Sequence, residues 1–292
     1  KPHRFAPPMG FRFLQQISTT RALQIFQLQR LGAVVFTSIL FAKSGLAVEE
    51  IGAYEMLLYI GTMFTFLWVN GLLQGIPPVY SSLESTVRKV FIFNVFLVFF
   101  VISLALFLLL ITGERWVVPF FTGQPVLPFF GLFCLYLLFN VPSLVVEYIY
   151  LLKEQPLYIV VWGGVAFGLQ VAAFFIPVWL GMGLGKAFEM LAILAALKFF
   201  WTVWLVVQTG IFRINMLLLR RYLVFSGPLI ANLIVGNLIL LFDNWLVGWY
   251  YQDTAVFAIF RYGSREFPLA TALATALATS MIPRLINAPR EG

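Results

Sequence analysis

Charge, cysteine and histidine are all scarce in this 292-residue chain: 11% of it is Asp, Glu, Lys or Arg, and it holds one cysteine and one histidine. Soluble domains carry about 25% charged and about 45–50% apolar residues, whereas here the apolar share is 61% and the mean hydropathy +0.94. The single cysteine, Cys134, excludes a disulfide framework within the chain. The single histidine, His3, lies in a basic N-terminal tail, which removes the usual zinc sites and most histidine-based catalysis. There is no GxxxxGK[ST] loop, so nucleotide hydrolysis through a Walker site is excluded. A membrane acyl- or glycosyltransferase needs catalytic groups on a substantial loop, and every loop here is short. No catalytic residue, metal or organic cofactor is expected, and the chain does not read as an enzyme.

What it does have is long apolar runs. FIFNVFLVFFVISLALFLLL, residues 91–110, shows no period-two alternation and so argues against a β-barrel. A span needs roughly 20 apolar residues, and the runs divide into eight candidate helices near 23–42, 51–77, 90–112, 126–151, 157–180, 187–208, 225–249 and 255–283. The predicted fold is all-α, a polytopic helical membrane protein of about eight transmembrane helices. Its expected parts are a tail (1–22), a six-helix lobe (23–208), an amphipathic linker (209–224) and the first two helices of an incomplete second lobe (225–292).

Lys and Arg fall unevenly on alternate sides of these spans. One side holds Lys1, Arg4, Arg12, Arg21, Arg88, Lys89, Lys153, Arg213, Arg220, Arg221, Arg284 and Arg290, the other only Lys43, Arg115 and Lys186. Twelve against three places both termini in the cytoplasm by the positive-inside rule. The +7 net charge then belongs to loops facing anionic lipid, and no basic domain exists to bind nucleic acid.

Spans 1–2 and 7–8 read as distant copies. A shift of 205 residues aligns Ala53 with Ala258, Leu72 with Leu277 and Pro78 with Pro283, and sets GLAVEE against YYQDTA. Both copies start on the same side, as in parallel-repeat transporters whose substrate path lies between the halves. On this reading the second half begins near Leu217 and is cut short after two helices.

The candidate charges inside the spans are Arg30, Glu55, Glu189, Lys198, Asp243, Arg261, Arg265 and Glu266. A charge at the bilayer centre costs about 2.5–3.5 kcal/mol on insertion scales and normally faces a cavity or a partner. Arg261 and Arg265, four apart on one helix face, either grip an anionic substrate, pair with Glu266, Asp243 or Glu189, or snorkel to the outer interface. Lys198, near the middle of span 6, and Arg30, about two turns into span 1, are the other candidate cavity cations. Asp243, Glu189 and Glu266 are candidates for a coupling ion, H⁺ or Na⁺. Glu55 and Glu189 lie near helix ends, which predicts interfacial placement. Small residues favour close packing at the GxxxG step Gly164/Gly168 and at the Ala270/Ala274/Ala278 and Thr271/Thr275/Thr279 stripes, just beyond the kink expected at Pro268. Trp245, Trp249, Tyr250 and Tyr251 read as an interfacial belt.

FAKSGLAVEEIGAYEMLLYIGTMFTFLWVNGL, with Gly45, Glu49, Glu50, Gly52 and Tyr54, resembles the first loop and second helix of bacterial polysaccharide-repeat flippases. LLFDNWLVGWYYQDTAVFAIFRY, with Asp243, Leu246 and Gly248, resembles their seventh and eighth helices, and MIPRL their closing Pro-Arg. Phe257-Ala258-Ile259 departs from the Gly-x-Tyr the family favours there. These flippases share a superfamily with multidrug exporters and the lipid II flippase. The resemblance implies a multi-pass protein of the bacterial cytoplasmic (inner) membrane that moves a polyprenyl-pyrophosphate-linked oligosaccharide by alternating access. Arg30, Lys198, Arg261 and Arg265 would line a cationic cavity, and other polysaccharide-assembly membrane proteins are expected partners. A cation-coupled multidrug exporter of the same fold, with an acidic and aromatic cavity, is the alternative, followed by a non-transporting membrane scaffold.

Overall fold

The computed structural model describes residues 18–264. All regular structure among them is helical: α1 (Thr19–Lys43), α2 (Val48–Ser81), α3 (Ser85–Thr122), α4 (Phe130–Ser143), α5 (Val145–Leu152), α6 (Pro156–Trp179), α7 (Gly183–Thr209), α8 (Met216–Tyr251) and α9 (Thr254–Gly263). Six stretches are long and apolar enough to cross a bilayer, the pair α4–α5 counting as one, and the bent α2 makes seven. The chain is a polytopic helical membrane protein. Among the described residues the eighth expected span, 255–283, is represented by α9. Arg265, Glu266, Pro268 and the Ala and Thr stripes lie outside the described residues.

Successive helices run back and forth, so the turns at 82–84, 153–155 and 210–215 share one face with the start of α1, and those at 44–47, 123–129, 180–182 and 252–253 share the other. Among the described residues, Arg21, Arg88, Lys89, Lys153, Arg213, Arg220 and Arg221 therefore belong toward one face and Lys43, Arg115 and Lys186 toward the other. Apolar side chains point outward freely, with Leu217 at 78% and Val235 at 76% exposure. That inversion of a soluble surface suits a lipid solvent, in which helices associate through close packing and hydrogen bonds rather than hydrophobic burial.

Two clusters form the interior. One, nearer the amino-terminal face, gathers Phe26, Leu72, Phe91, Val146, Ile159 and Tyr222; the other, nearer the opposite face, gathers Phe41, Tyr54, Leu57, Phe133, Phe188 and Phe257. Helix α2 belongs to both and touches α3, α4, α5, α8 and α9, whereas α1 leans chiefly on α6. The α8–α9 hairpin thus packs directly on the six-helix set.

Small residues on α2 permit this. A Cβ on Gly71 would lie 2.4 Å from Ile230 Cγ1, on Gly75 2.3 Å from Ser226 Oγ, and on Gly52 1.9 Å from the backbone oxygen of Thr254. Tyr222 of α8 adds a hydrogen bond, 2.7 Å, to the Leu72 carbonyl. In α6 the close approach is at Gly163, whose Cβ would sit 2.3 Å from Gln29 Oε1, while Gly168 has nothing within 4 Å. Of the expected step, Gly164 meets α1, its Cβ position 3.4 Å from Gln29 Nε2, and Gly168 does not; the tightest approach is at Gly163 beside it.

Two further expectations are corrected. Residues 216–224 are the first turns of α8 rather than a separate surface linker, because Asn215 caps the helix by accepting from Leu218 N at 3.1 Å. Only 210–215 is non-helical, and it is fastened to α3. The Asn94 side chain donates to the Arg213 carbonyl (2.7 Å) and accepts from Asn215 N (3.0 Å), while Ile211 N donates to the Lys89 carbonyl (3.1 Å). The second span, expected to end near 77, runs on through Pro77 and Pro78 to Ser81.

Candidate functional site

The more buried of the two ion pairs among the described residues lies where three helices meet. Glu55 on α2 is 1% exposed. Its Oε2 lies 3.5 Å from Arg261 Nε on α9, and Arg261 Nη1 donates to Asn244 Oδ1 on α8 at 3.0 Å. Each of the three is seven positions from an end of its helix on the same face (Val48, Thr254 and Tyr251), which sets them at a common depth of about 10 Å. Their helices begin or end in capped turns: Glu50 accepts from Ala47 N ahead of α2, and Asp253 accepts from Ala255 N and Val256 N ahead of α9. Tyr59, one turn below Glu55, donates to the Leu241 carbonyl of α8 and packs on Phe257 of α9. Polar groups thus stitch α2 to both helices of the α8–α9 hairpin.

The placement of Glu55 overturns its expected position at the interface. Its short distance from the helix end is real, but α9 lies across it and removes it from solvent. Arg261, expected to line a cavity beside Arg265 or to pair with Glu266, Asp243 or Glu189, engages Glu55 and Asn244 among the described residues, while Arg265 and Glu266 lie outside them. Asp243 is exposed on α8, turned from the side that carries Asn244. Glu189 forms a salt bridge with Lys186, three residues earlier on the same helix, and both are well exposed. Neither carboxylate shares a site with Arg261.

The remaining cations are also dispersed. Lys198 of α7 donates to Asn140 Oδ1 of α4, in the middle of the packed helices. Around it run aromatic contacts in which Trp201 stacks on Trp162 and donates to the Tyr150 hydroxyl at 3.2 Å. Arg30 is exposed on α1. Among the described residues the expected common cluster of Arg30, Lys198 and Arg261 does not form; Lys198 and Arg261 have separate polar partners.

No protein-family model, curated protein or solved structure matches the chain. The site must accordingly be read from its own chemistry. Among the described residues no group of three His, Cys, Asp or Glu side chains is placed to hold a metal. At the far end of α8 Trp245 stacks on Trp249 at 5.9 Å and donates to the Phe120 carbonyl at 3.0 Å.

Two residues escaped the sequence reading. Glu147 is 8% exposed inside the α4–α5 span, and the signal for it was a lone acid in an otherwise apolar run. Asn140 was passed over because an uncharged amide carries no flag, though an amide in mid-span needs partners as much as a charge does. Replacing Asn140 with Leu leaves the Lys198 ammonium without its acceptor. The expected loss is about 1–3 kcal/mol, read as a lower thermal midpoint in detergent, and Lys198→Met in the same background should restore most of it.

Proposed function

We propose that this protein is an alternating-access transporter of the bacterial cytoplasmic membrane that flips a polyprenyl-pyrophosphate-linked oligosaccharide, with both termini in the cytoplasm. The observation that carries the reading is the Glu55–Arg261–Asn244 contact at the seam between α2 and the α8–α9 hairpin. A guanidinium binds a carboxylate and a phosphate through the same fork of donors. A pyrophosphate entering the seam therefore competes with Glu55 for Arg261, and in winning it loosens the contact that holds α9 on α2. Substrate binding and opening become one event. The shift-related turns 44–47 and 252–253 on the same face, and the resemblance of the segments around them to polysaccharide flippases, support the same reading.

Reconstituted protein assayed for translocation of a lipid-linked oligosaccharide tests this. Arg261→Ala is expected to reduce the rate at least tenfold, with Lys186→Ala, in the exposed pair remote from the seam, leaving it unchanged. An Arg261→Ala protein that transports normally would end the pyrophosphate role.

The buried Glu55 carboxylate favours one second reading, export of an organic cation that takes the place of Arg261. Efflux of a cationic dye, abolished by Glu55→Gln and indifferent to lipid-linked sugar, would select it.

A further inference from the structure

Five cations crowd one corner of the amino-terminal face, where the turn after α2, the start of α3 and the turn before α8 come together. Two of them engage the same turn. Arg88 of α3 donates from Nε to the Leu83 carbonyl (2.9 Å) and from Nη2 to the Ser81 carbonyl (3.4 Å), and its guanidinium lies 5.0 Å from the Tyr80 ring centre. Arg221 of α8 donates from Nη2 to Ser82 Oγ at 3.1 Å. Lys89, Arg213 and Arg220 stand exposed on the same elements. The backbones that carry them are fastened together: Ile211 N donates to the Lys89 carbonyl, Asn94 holds the Arg213 carbonyl, and Phe212 packs on Phe93 at 4.9 Å. The one acid in segments 80–94 and 210–224 is Glu84, which is exposed. Among the described residues no carboxylate lies within 4 Å of any of the five cations. A single cation suffices to satisfy the last carbonyls of a helix. A second guanidinium brought to the same turn is repelled by the first unless an anion joins them. Each guanidinium has five N–H donors, and these contacts occupy two on Arg88 and one on Arg221.

We propose that this corner binds the phosphate of an anionic phospholipid from the adjoining leaflet, Arg88 and Arg221 closing on the phosphate oxygens while Lys89, Arg213 and Arg220 supply the surrounding positive field. A guanidinium offers parallel N–H donors that match two oxygens of a phosphate. Cations just outside a span are favoured by an anionic leaflet wherever they lie; the particular feature here is that two of them share one turn. The apolar surroundings select a lipid over a soluble anion. Ile214, Met216, Leu217 and Val224, on either side of Arg220 and Arg221, are 56%, 74%, 78% and 68% exposed. They offer acyl chains a surface directly beside the charged groups, which a free phosphate cannot use. A phosphate held by both arginines also ties the end of α2 to the start of α8, next to the bond from Tyr222 to the Leu72 carbonyl. The site needs only a bilayer and does not rest on the flippase reading.

The test is native mass spectrometry of the protein titrated with phosphatidylglycerol and, separately, with phosphatidylcholine of the same acyl chains, whose phosphate is offset by its own cation. Each cation beside an anionic surface contributes about fivefold, so the first phosphatidylglycerol should bind at least tenfold more tightly than the first phosphatidylcholine. Arg88→Gln with Arg221→Gln should bring that preference within about twofold of unity. Arg213→Gln with Arg220→Gln, whose side chains make no hydrogen bond among the described residues, should lower it severalfold; this pair decides the matter should the first fail to fold. Arg115→Gln with Lys186→Gln, on the opposite face, should leave it unchanged. A native protein without the preference, a preference that survives both amino-terminal-face pairs, or an equal loss in the opposite-face pair each overturns the proposal. Displacement of the lipid by millimolar inorganic phosphate would assign the corner to a soluble anion and likewise overturn it.

Discussion

Glu55→Leu is expected to destabilise the protein by roughly 3–5 kcal/mol, the usual result of removing one partner from a buried ion pair. The Arg261 side chain is 25% exposed and keeps its hydrogen bond to Asn244, which places the effect toward the lower end of that range. The diagnostic is the double variant. Glu55→Leu with Arg261→Leu removes both charges, so most of the loss should return, because the attraction of a buried pair about offsets the cost of desolvating it. A convenient readout exists in the chain. Cys134 is its only cysteine and is fully buried in the cluster around Glu55's neighbours Met56 and Leu57. A thiol-reactive fluorophore therefore stays dark until that region opens. A midpoint unchanged in Glu55→Leu would mean that the carboxylate contributes nothing to holding α9. A double variant as unstable as the single would mean that the site's packing, and not its charge pairing, matters.

Gly52→Val should have the second large effect, for a steric reason. The added Cβ meets the Thr254 carbonyl at 1.9 Å, far inside any tolerated contact. The obstacle is backbone, so no rotamer change relieves it, and α9 must move off α2. Overpacking of this kind costs about 1–3 kcal/mol and more where backbone is displaced. The movement also pulls Arg261 from Glu55, so the steric and electrostatic losses are coupled rather than independent. Gly168→Val is the control: with nothing within 4 Å of its Cβ position, a change of less than about 0.5 kcal/mol is expected. Equal thiol-exposure midpoints for the two variants would show that α9 is not seated where the structure puts it.

These residues also show what a sequence can and cannot reveal. The helices were legible because apolar runs of span length admit no other structure in lipid. The Lys186–Glu189 pair went unread although its spacing was available, since residues three apart on a helix are neighbours wherever the helix lies; Glu189 had been set among the coupling-ion candidates and the partners of Arg261. Glu55 was not legible. Distance from a helix end measures depth along that helix's own axis, and says nothing of a second helix lying across it. Arg261 illustrates the converse problem. Its face could be counted, but its partner is 206 residues away and is chosen by the packing of α9 on α2. Gly163 and Gly168 make the same point in miniature: a small-residue motif announces that a close approach is allowed somewhere on a helix, and only the neighbour decides which glycine is used. The scattering of Arg30, Lys198 and Arg261 has the same cause, since counting buried cations cannot show the elements between them.

The amide of Asn94 has a mechanical consequence. By gripping both the carbonyl at 213 and the N–H at 215, it turns the joint before α8 into a rigid coupling, so that tilting α8 levers α3 with it. In the proposed cycle, a stroke that separates the hairpin from α2 would be delivered along α3 from Asn94 to Thr122, about 42 Å, toward its far end.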